Sequence, residues 1–365
     1  MGEKERFYVN EAFDTNWVAP LGPNVDAFEL QLSQHLAVKS VVSLGSGTAA
    51  IHLALNAVGV KPGDVVICQS FTFAATAFPI QYCHAEPVFI DSEAATWNMD
   101  PALLEKAITD LKAAGKKIGA IMVVHLYGMP ALMEALMEIA GRYEIPVIED
   151  AAEALGSSYK GKPCGSFGIA GILSFNGNKI ITTSGGGALA SDNEEVVKYV
   201  RHVSAQAKEP APYYLHKEIG YNYRMSNICA GIGRGQMEVL PERIERRRQI
   251  FDNYKKALGS IDGVIFPEEP QGFFSNRWLT TILLDEKVFE VGTNEKIRQY
   301  LETLNIESRQ LWKPLHQQPV FEGCKSYVNG VSDKLFATGL CLPSGSNMSN
   351  EVQEIVIAEL KKCLG

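Results

Sequence analysis

Between residues 41 and 150 short apolar runs alternate with helical stretches, and this alternation constrains the fold more than any other feature. Residues 41–44, 65–67, 87–90, 120–124 and 146–148 read as strands, each an apolar run too short for a helix. Helical patterns fill the gaps at 49–58, closed by Gly59, at 76–83, at about 101–114 behind Asp100-Pro101, and at 133–143. Residues 171–175 and 188–191 read as two further strands. Strands alternating with helices of this length imply an α/β fold, a mostly parallel central sheet with helices on both faces. Ligands of such sheets collect at the carboxyl ends of the strands.

The pattern changes near Leu240-Pro241. A helix runs from there to about 258, with Ile244, Phe251, Tyr254 and Leu258 on its apolar side. The run Arg246-Arg247-Arg248 within it reads as a solvated face. A strand at 280–284 and helices near 294–304 and 350–362 complete a smaller C-terminal α+β region. The expected domains are 1–240, a large α/β domain, and 241–365. The chain has 365 residues, 46% of them hydrophobic and 21% charged, which suits a globular enzyme of two such domains. Its net charge of −8 argues against a nucleic-acid or anionic-membrane binder. Seven cysteines, an odd count without a CxxC pair, fit reduced thiols better than disulfides or a metal cluster. The first residues open no signal-peptide apolar region, and no apolar run reaches the roughly 20 residues of a membrane span. A cytoplasmic location is expected.

Four strand ends carry chemistry. Ser46-Gly47-Thr48 lies between a strand and the helix that follows, where backbone N–H groups and the helix dipole favour a phosphate. Read as Gly45-x-Gly47-x-x-Ala50, the same stretch lacks the third glycine and the downstream acid of a dinucleotide fingerprint. Phe73 follows the next strand, where it either stacks on a ring or packs in the core. Asp150 ends its strand ahead of the small pair Ala151-Ala152, as a helix cap or as a carboxylate facing a ligand. Lys179 sits in the polar loop Ser174-Phe175-Asn176-Gly177-Asn178-Lys179 between two core strands, with Gly185-Gly186-Gly187 beside it. It reads as a surface lysine or as a buried amine suited to Schiff-base chemistry. Pyridoxal phosphate uses all four features: an anion site, a ring face, a carboxylate on its ring nitrogen and an aldehyde-bonding lysine.

With these motifs in order, the chain resembles the sugar-nucleotide aminotransferases of the DegT/DnrJ/EryC group, which have the aspartate-aminotransferase-like fold (fold type I). The resemblance covers essentially the whole chain. It rests on Ser46-Gly47-Thr48-Ala49-Ala50, Ser70-Phe71-Thr72-Phe73, His125-Leu126-Tyr127-Gly128, Glu149-Asp150-Ala151-Ala152-Glu153, Gly165-Ser166-Phe167-Gly168, the Lys179 loop and Gly220-Tyr221-Asn222-Tyr223-Arg224-Met225-Ser226. It implies that Lys179 carries the cofactor and that Asp150 pairs with the ring nitrogen. It further implies Ser174, Gly47 and Thr48 at the phosphate, and Phe73 on the ring. Asn222 would reach the phosphate of the neighbouring subunit, making the active unit a homodimer with shared sites.

Glu153, and Asn178 ahead of the lysine, depart from the versions many members carry. Together with Asn276-Arg277-Trp278-Leu279 and Leu311-Trp312-Lys313 they look like the bacillosamine-pathway subgroup. That subgroup aminates a UDP-linked 4-keto-6-deoxy-N-acetylhexosamine at C4, with glutamate as donor and a pyridoxamine phosphate form in the cycle, in bacterial surface glycan synthesis. Glu153, Asn178 and Trp278 are then substrate-side candidates, and Arg224, Arg277 and Lys313 candidates for the diphosphate. His125 reads as a core or site-wall histidine. A family dehydratase or isomerase that keeps the cofactor, and a non-catalytic cofactor-binding sensor, are the other readings; Lys179 argues against the branch that has histidine there.

Overall fold

The computed structural model describes residues 1–365. The opening helices α1 (Glu5–Asp14) and α2 (Pro23–Leu36) lead into strand β1 (Ser40–Leu44) and helix α3 (Gly47–Ala57). The large sheet continues with β2 (Val65–Gln69), β3 (Glu86–Ile90), β4 (Ile118–Val124), β5 (Val147–Asp150), β6 (Ala170–Ser174), β7 (Gly187–Ser191) and a short, late strand β8 (Ser326–Tyr327). Their spatial order is β1-β7-β6-β5-β4-β2-β3-β8. Every neighbouring pair is parallel except β7, which runs antiparallel to both β1 and β6.

The strands are buried on both faces, so they read as continuous apolar runs rather than alternating ones. Alternate side chains reach opposite layers: Val42 packs with Leu53 and Ala54 of α3, while Val41 packs with Phe28 and Leu32 of α2. Helices Pro101–Ala113 and Met133–Arg142 cover Val65, Ile67, Ile121 and Val123 of the central strands. Local signals set the helix starts. The Asp100 carboxylate accepts from the N–H groups of Ala102 (2.8 Å) and Leu103 (3.3 Å), with Pro101 at the first helical position. Ser46 caps α3 by accepting from Ala49 N–H at 3.0 Å, so this helix begins two residues earlier than expected.

Strand β8 is held at the sheet edge by a buried carboxylate. Asp91 accepts from the backbone N–H groups of Asn329 (3.0 Å), Gly330 (2.9 Å) and Ser332 (3.0 Å), just beyond β8. A second, antiparallel sheet orders Val264–Ile265, Thr280–Leu284, Gly339–Leu342 and Arg309–Gln310. It shares a core with helices Leu240–Leu258, Thr293–Thr303 and Asn350–Leu364 through Ile250, Tyr254, Leu301 and Leu360. We propose that the domain division falls at residues 240/241, with β8 returning across it.

One expectation is corrected here. Arg246-Arg247-Arg248 is not a solvated face, because Arg247 is buried and donates to the carbonyls of Trp278 and Ser344. These carbonyls belong to loops that leave them without strand partners, and the inward-turned guanidinium satisfies them. All seven cysteines are unpaired. No helix is long and apolar enough to cross a membrane.

Candidate active site

The carboxyl ends of β1, β5 and β6 open into one cavity of about 240 Å³. Gly47, Thr48, Phe73, Asp150, Ser174 and Lys179 all line it, joined by Glu153, Asn178, Trp278 and Trp312. The register explains the convergence. Gly187 at the start of β7 pairs with both Leu44 and Ser174, so the first turn of α3 and the lysine loop rise from adjacent strand ends. A Cβ on Gly187 would stand 2.3 Å from the Gly47 nitrogen, so only glycine lets α3 settle so close to the sheet.

At this end the N–H groups of Gly47 and Thr48 belong to the first turn of α3 and have no acceptor within the helix. Gly47 lies against Ser174: an added Cβ would be 3.2 Å from Ser174 Cβ and 3.5 Å from its Oγ. The result is a cradle that a side chain at 47 would crowd, ready for an anion.

Asp150 is buried at the end of β5. Thr76 Oγ1 donates to its Oδ2 at 2.7 Å, and Ala152 N–H donates to its Oδ1 at 3.1 Å. The second bond has the form of a cap, yet the carboxylate also faces the cavity, so the two expected readings coexist. Thr76 went unnoticed in the sequence. Its signal is the pair Thr72 and Thr76, four residues apart, whose hydroxyls lie 2.9 Å from each other.

Phe73 is not core: it is 53% exposed, with its ring centroid 5.4 Å from that of Trp312. Lys179 sits in a turn closed by its own N–H to Asn176 O at 3.0 Å. Of its two expected readings the structure favours the buried one: the side chain is 12% exposed, with a counter-ion in Glu153 Oε1 at 3.6 Å and the Trp278 ring centroid 4.3 Å from Nζ. Burial pushes the Glu153 carboxyl above the usual carboxylate range, and the Lys179 charge opposes that rise. Asn178 is exposed, and its carbonyl accepts from Trp278 Nε1–H at 2.8 Å.

The remaining candidates lie apart from the cavity wall. Arg224 is ion-paired with Glu29 at 3.1 Å. Arg277 is buried, pairs with Glu269 at 3.6 Å and lies over the Phe251 ring. Lys313 is exposed, next in the chain to the cavity-lining Trp312. Asn222 is exposed and bridges to Ala205. His125 is a core residue: it pairs with Glu149 at 2.9 Å through Nε2 and accepts from Ala131 N–H at 3.1 Å through Nδ1. Glu149 in turn accepts from the N–H groups of Gly165 and Gly168, both at 2.8 Å, which accounts for the Gly165-Ser166-Phe167-Gly168 motif.

The donor set fits pyridoxal phosphate, with an anion cradle at one end, a buried carboxylate on the cavity wall, an open aromatic face and an amine. The comparisons agree. The model of the DegT/DnrJ/EryC1/StrS aminotransferase family matches residues 1–361. EpsN of Bacillus subtilis, named as a pyridoxal phosphate-dependent aminotransferase, is 53% identical over 99% of this chain and 93% of its own. A GDP-perosamine synthase of Escherichia coli O157:H7 is 38% identical over 98% of this chain and 94% of its own. The crystal structure of a DegT/DnrJ/EryC1/StrS aminotransferase from Brucella abortus superposes with a TM-score of 0.91 at 30% identity, covering 99% of this chain and 95% of that one. With a family model spanning residues 1–361 and a relative 53% identical over 99% of the chain, the protein belongs to the DegT/DnrJ/EryC1/StrS family of pyridoxal phosphate-dependent aminotransferases.

Proposed function

We propose that the protein transfers an amino group from glutamate to a keto carbon, C4, of a nucleotide-linked 4-keto-6-deoxy sugar used in bacterial surface glycans. The observation that supports this best is the convergence of Lys179, Asp150 and the first turn of α3 in one cavity. Gly47, Thr48 and Ser174 would hold the cofactor's phosphate, Asp150 its ring nitrogen, Phe73 its ring face and Lys179 its aldehyde carbon. When bound, the cofactor supplies an electron sink for the carbanion left by α-proton loss. Asp150 would favour the protonated ring nitrogen, with Thr76 fixing its carboxylate. Lys179 Nζ, as a free neutral amine, would be the base that takes the donor's α-proton and the acid that returns it. On the sugar half of the cycle the same nitrogen works in the opposite direction.

The UDP-linked N-acetylhexosamine reading rests on Glu153, Asn178 and Asn276-Arg277-Trp278, and the similarity to a GDP-perosamine synthase supplies a competing one. Arg224 and Arg277 have internal carboxylate partners, which leaves Lys313, next to the cavity-lining Trp312, as the candidate of the three without one. A panel of UDP-, GDP- and dTDP-linked 4-keto sugars with glutamate separates the readings. We expect the UDP-linked 4-keto-6-deoxy-N-acetylglucosamine to lead in kcat/KM by about tenfold or more. Equal rates, or a lead for GDP, would remove the UDP assignment and leave the aminotransferase in place.

The active unit is proposed to be a homodimer, because Asn222 is exposed and outside the cavity of its own chain. As one amide at the phosphate it contributes about 0.5–3 kcal/mol of cofactor binding. Mixing the inactive variants Lys179→Ala and Asn222→Asp should restore activity, since each hybrid dimer holds one intact site, to roughly a quarter of the wild-type rate. No recovery despite demonstrated subunit exchange would mean that each chain builds its own site.

A further inference from the structure

On the cavity wall Glu153 Oε1 lies 3.6 Å from the Lys179 amine and the Trp278 ring centroid 4.3 Å from it. We infer that the two residues form a dock that positions the free Lys179 amine while it is not bonded to the cofactor. The inference rests on the reading of Lys179 as the cofactor lysine and assigns to Glu153 and Trp278 a task other than contact with the sugar.

Three features show a built site. Its two walls are buried, with the Glu153 side chain 6% and Trp278 1% exposed. Each wall is fixed independently of the lysine. Glu153 Oε2 accepts from Tyr127 N–H at 2.7 Å, at a residue held in the left-handed region (φ 52°), so the carboxylate cannot swing away without freeing a strained turn. Trp278 Nε1–H donates to Asn178 O, which ties the indole to the residue just before the lysine.

The walls are also joined to each other, although they lie far apart in the chain. Asn276 accepts from Trp278 N–H at 2.9 Å through Oδ1 and donates through Nδ2 to the carbonyls of Glu153 (2.9 Å) and Leu155 (3.0 Å). A single amide therefore sets the distance between carboxylate and indole.

The contact to Nζ is a different kind of interaction. At 3.6 Å from Glu153 Oε1 it is a long ion pair, and the indole face adds an attraction that is tolerant of angle. Such a dock holds the protonated amine, the state that follows uptake of the α-proton, and loosens its hold once that proton has been passed on. That suits an amine that must leave and return in each cycle. Glutamine at 153 keeps an acceptor for Tyr127 N–H but offers Nζ no charge. Phenylalanine at 278 keeps a ring but loses the tie to Asn178.

The test uses holoenzyme converted to its pyridoxamine form with excess glutamate, so that the lysine amine is free. Crystal structures of the wild type should show Nζ between Glu153 and the Trp278 ring, and in Glu153→Gln it should have left. In single turnovers with glutamate, Glu153→Gln should slow the lysine-dependent step about 10–100-fold while the KM for glutamate and the cofactor affinity hold. A merely structural role would lower stability without that split. Trp278→Phe should show a smaller loss of the same kind, and it decides the matter if Glu153→Gln does not fold. Nζ elsewhere in the wild-type pyridoxamine form, or both variants turning over at the wild-type rate, would overturn the dock. Borohydride reduction of the loaded wild type keeps the two readings apart. A pyridoxyl label on another lysine removes the assignment of Lys179 itself, whereas a label on Lys179 with Nζ undocked removes the dock alone.

Discussion

Lys179→Ala is expected to lower turnover on the order of 10⁴-fold, because it removes the base for both proton transfers together with the bond that anchors the cofactor. The fold should persist. The side chain is 12% exposed in a loop whose backbone bonds, Phe175 N–H to Gly186 O (2.9 Å) and Thr183 N–H to Phe175 O (3.0 Å), do not involve it. Its loss leaves Glu153 buried without a counter-ion. Burial already raises that carboxyl, loss of the Lys179 charge that opposes the rise lifts it further, and the cost is about 1–3 kcal/mol. Steady-state assays and borohydride labelling check this. In the wild type, reduction should fix a pyridoxyl group on Lys179 and nowhere else. Turnover within tenfold of wild type in the alanine variant, or no chromophore after adding cofactor to the wild type, would sink the assignment.

Asp150→Asn should cut turnover on the order of 10²–10³-fold with the fold intact, because a carboxylate beside the ring nitrogen favours the protonated ring by roughly 1–3 pKa units. Asparagine retains an oxygen for Ala152 N–H, and Thr76 Oγ1 can turn to accept from the new amide while donating to Thr72. What changes is charge, with little change in shape. The loss should therefore appear in the rate of α-proton removal in single turnovers, with thermal stability close to that of the wild type. Near-normal turnover would reduce Asp150 to the cap that its bond to Ala152 resembles.

The features legible in the sequence were those that short stretches of chain decide. The strands of the large sheet are apolar runs bounded by polar turns, and Asp100-Pro101 or Ser46 announce helices by chemistry within three residues. Lys179, Asp150 and Gly47-Thr48 stood out because each follows a strand, and strand ends of parallel sheets converge. What was hidden depends on partners far along the chain. The inward turn of Arg247 answers carbonyls at 278 and 344 that no helical pattern reveals. The counter-ion of Lys179 is Glu153, which follows the neighbouring strand β5 rather than β6. Arg277 reads as a free cation until Glu269 and the Phe251 ring are seen around it. Phe73 looked equally suited to core and cavity, since an aromatic residue after a buried strand carries no mark of which side it faces.

Strand β8 has a consequence for synthesis on the ribosome. It pairs with Phe89 and Ile90 of β3, so the large sheet gains its last edge from a segment made long after every other strand. At ordinary rates of elongation the outer edge of β3 waits about 10–50 s for that partner. An uncapped parallel edge invites pairing with another nascent chain. Glu86 and Pro87 at the start of β3 offer a charge and a missing N–H against such pairing, but Phe89 and Ile90 carry neither. Until Asp91 gathers the N–H groups of Asn329, Gly330 and Ser332, that edge of the half-made protein stays open to other strands.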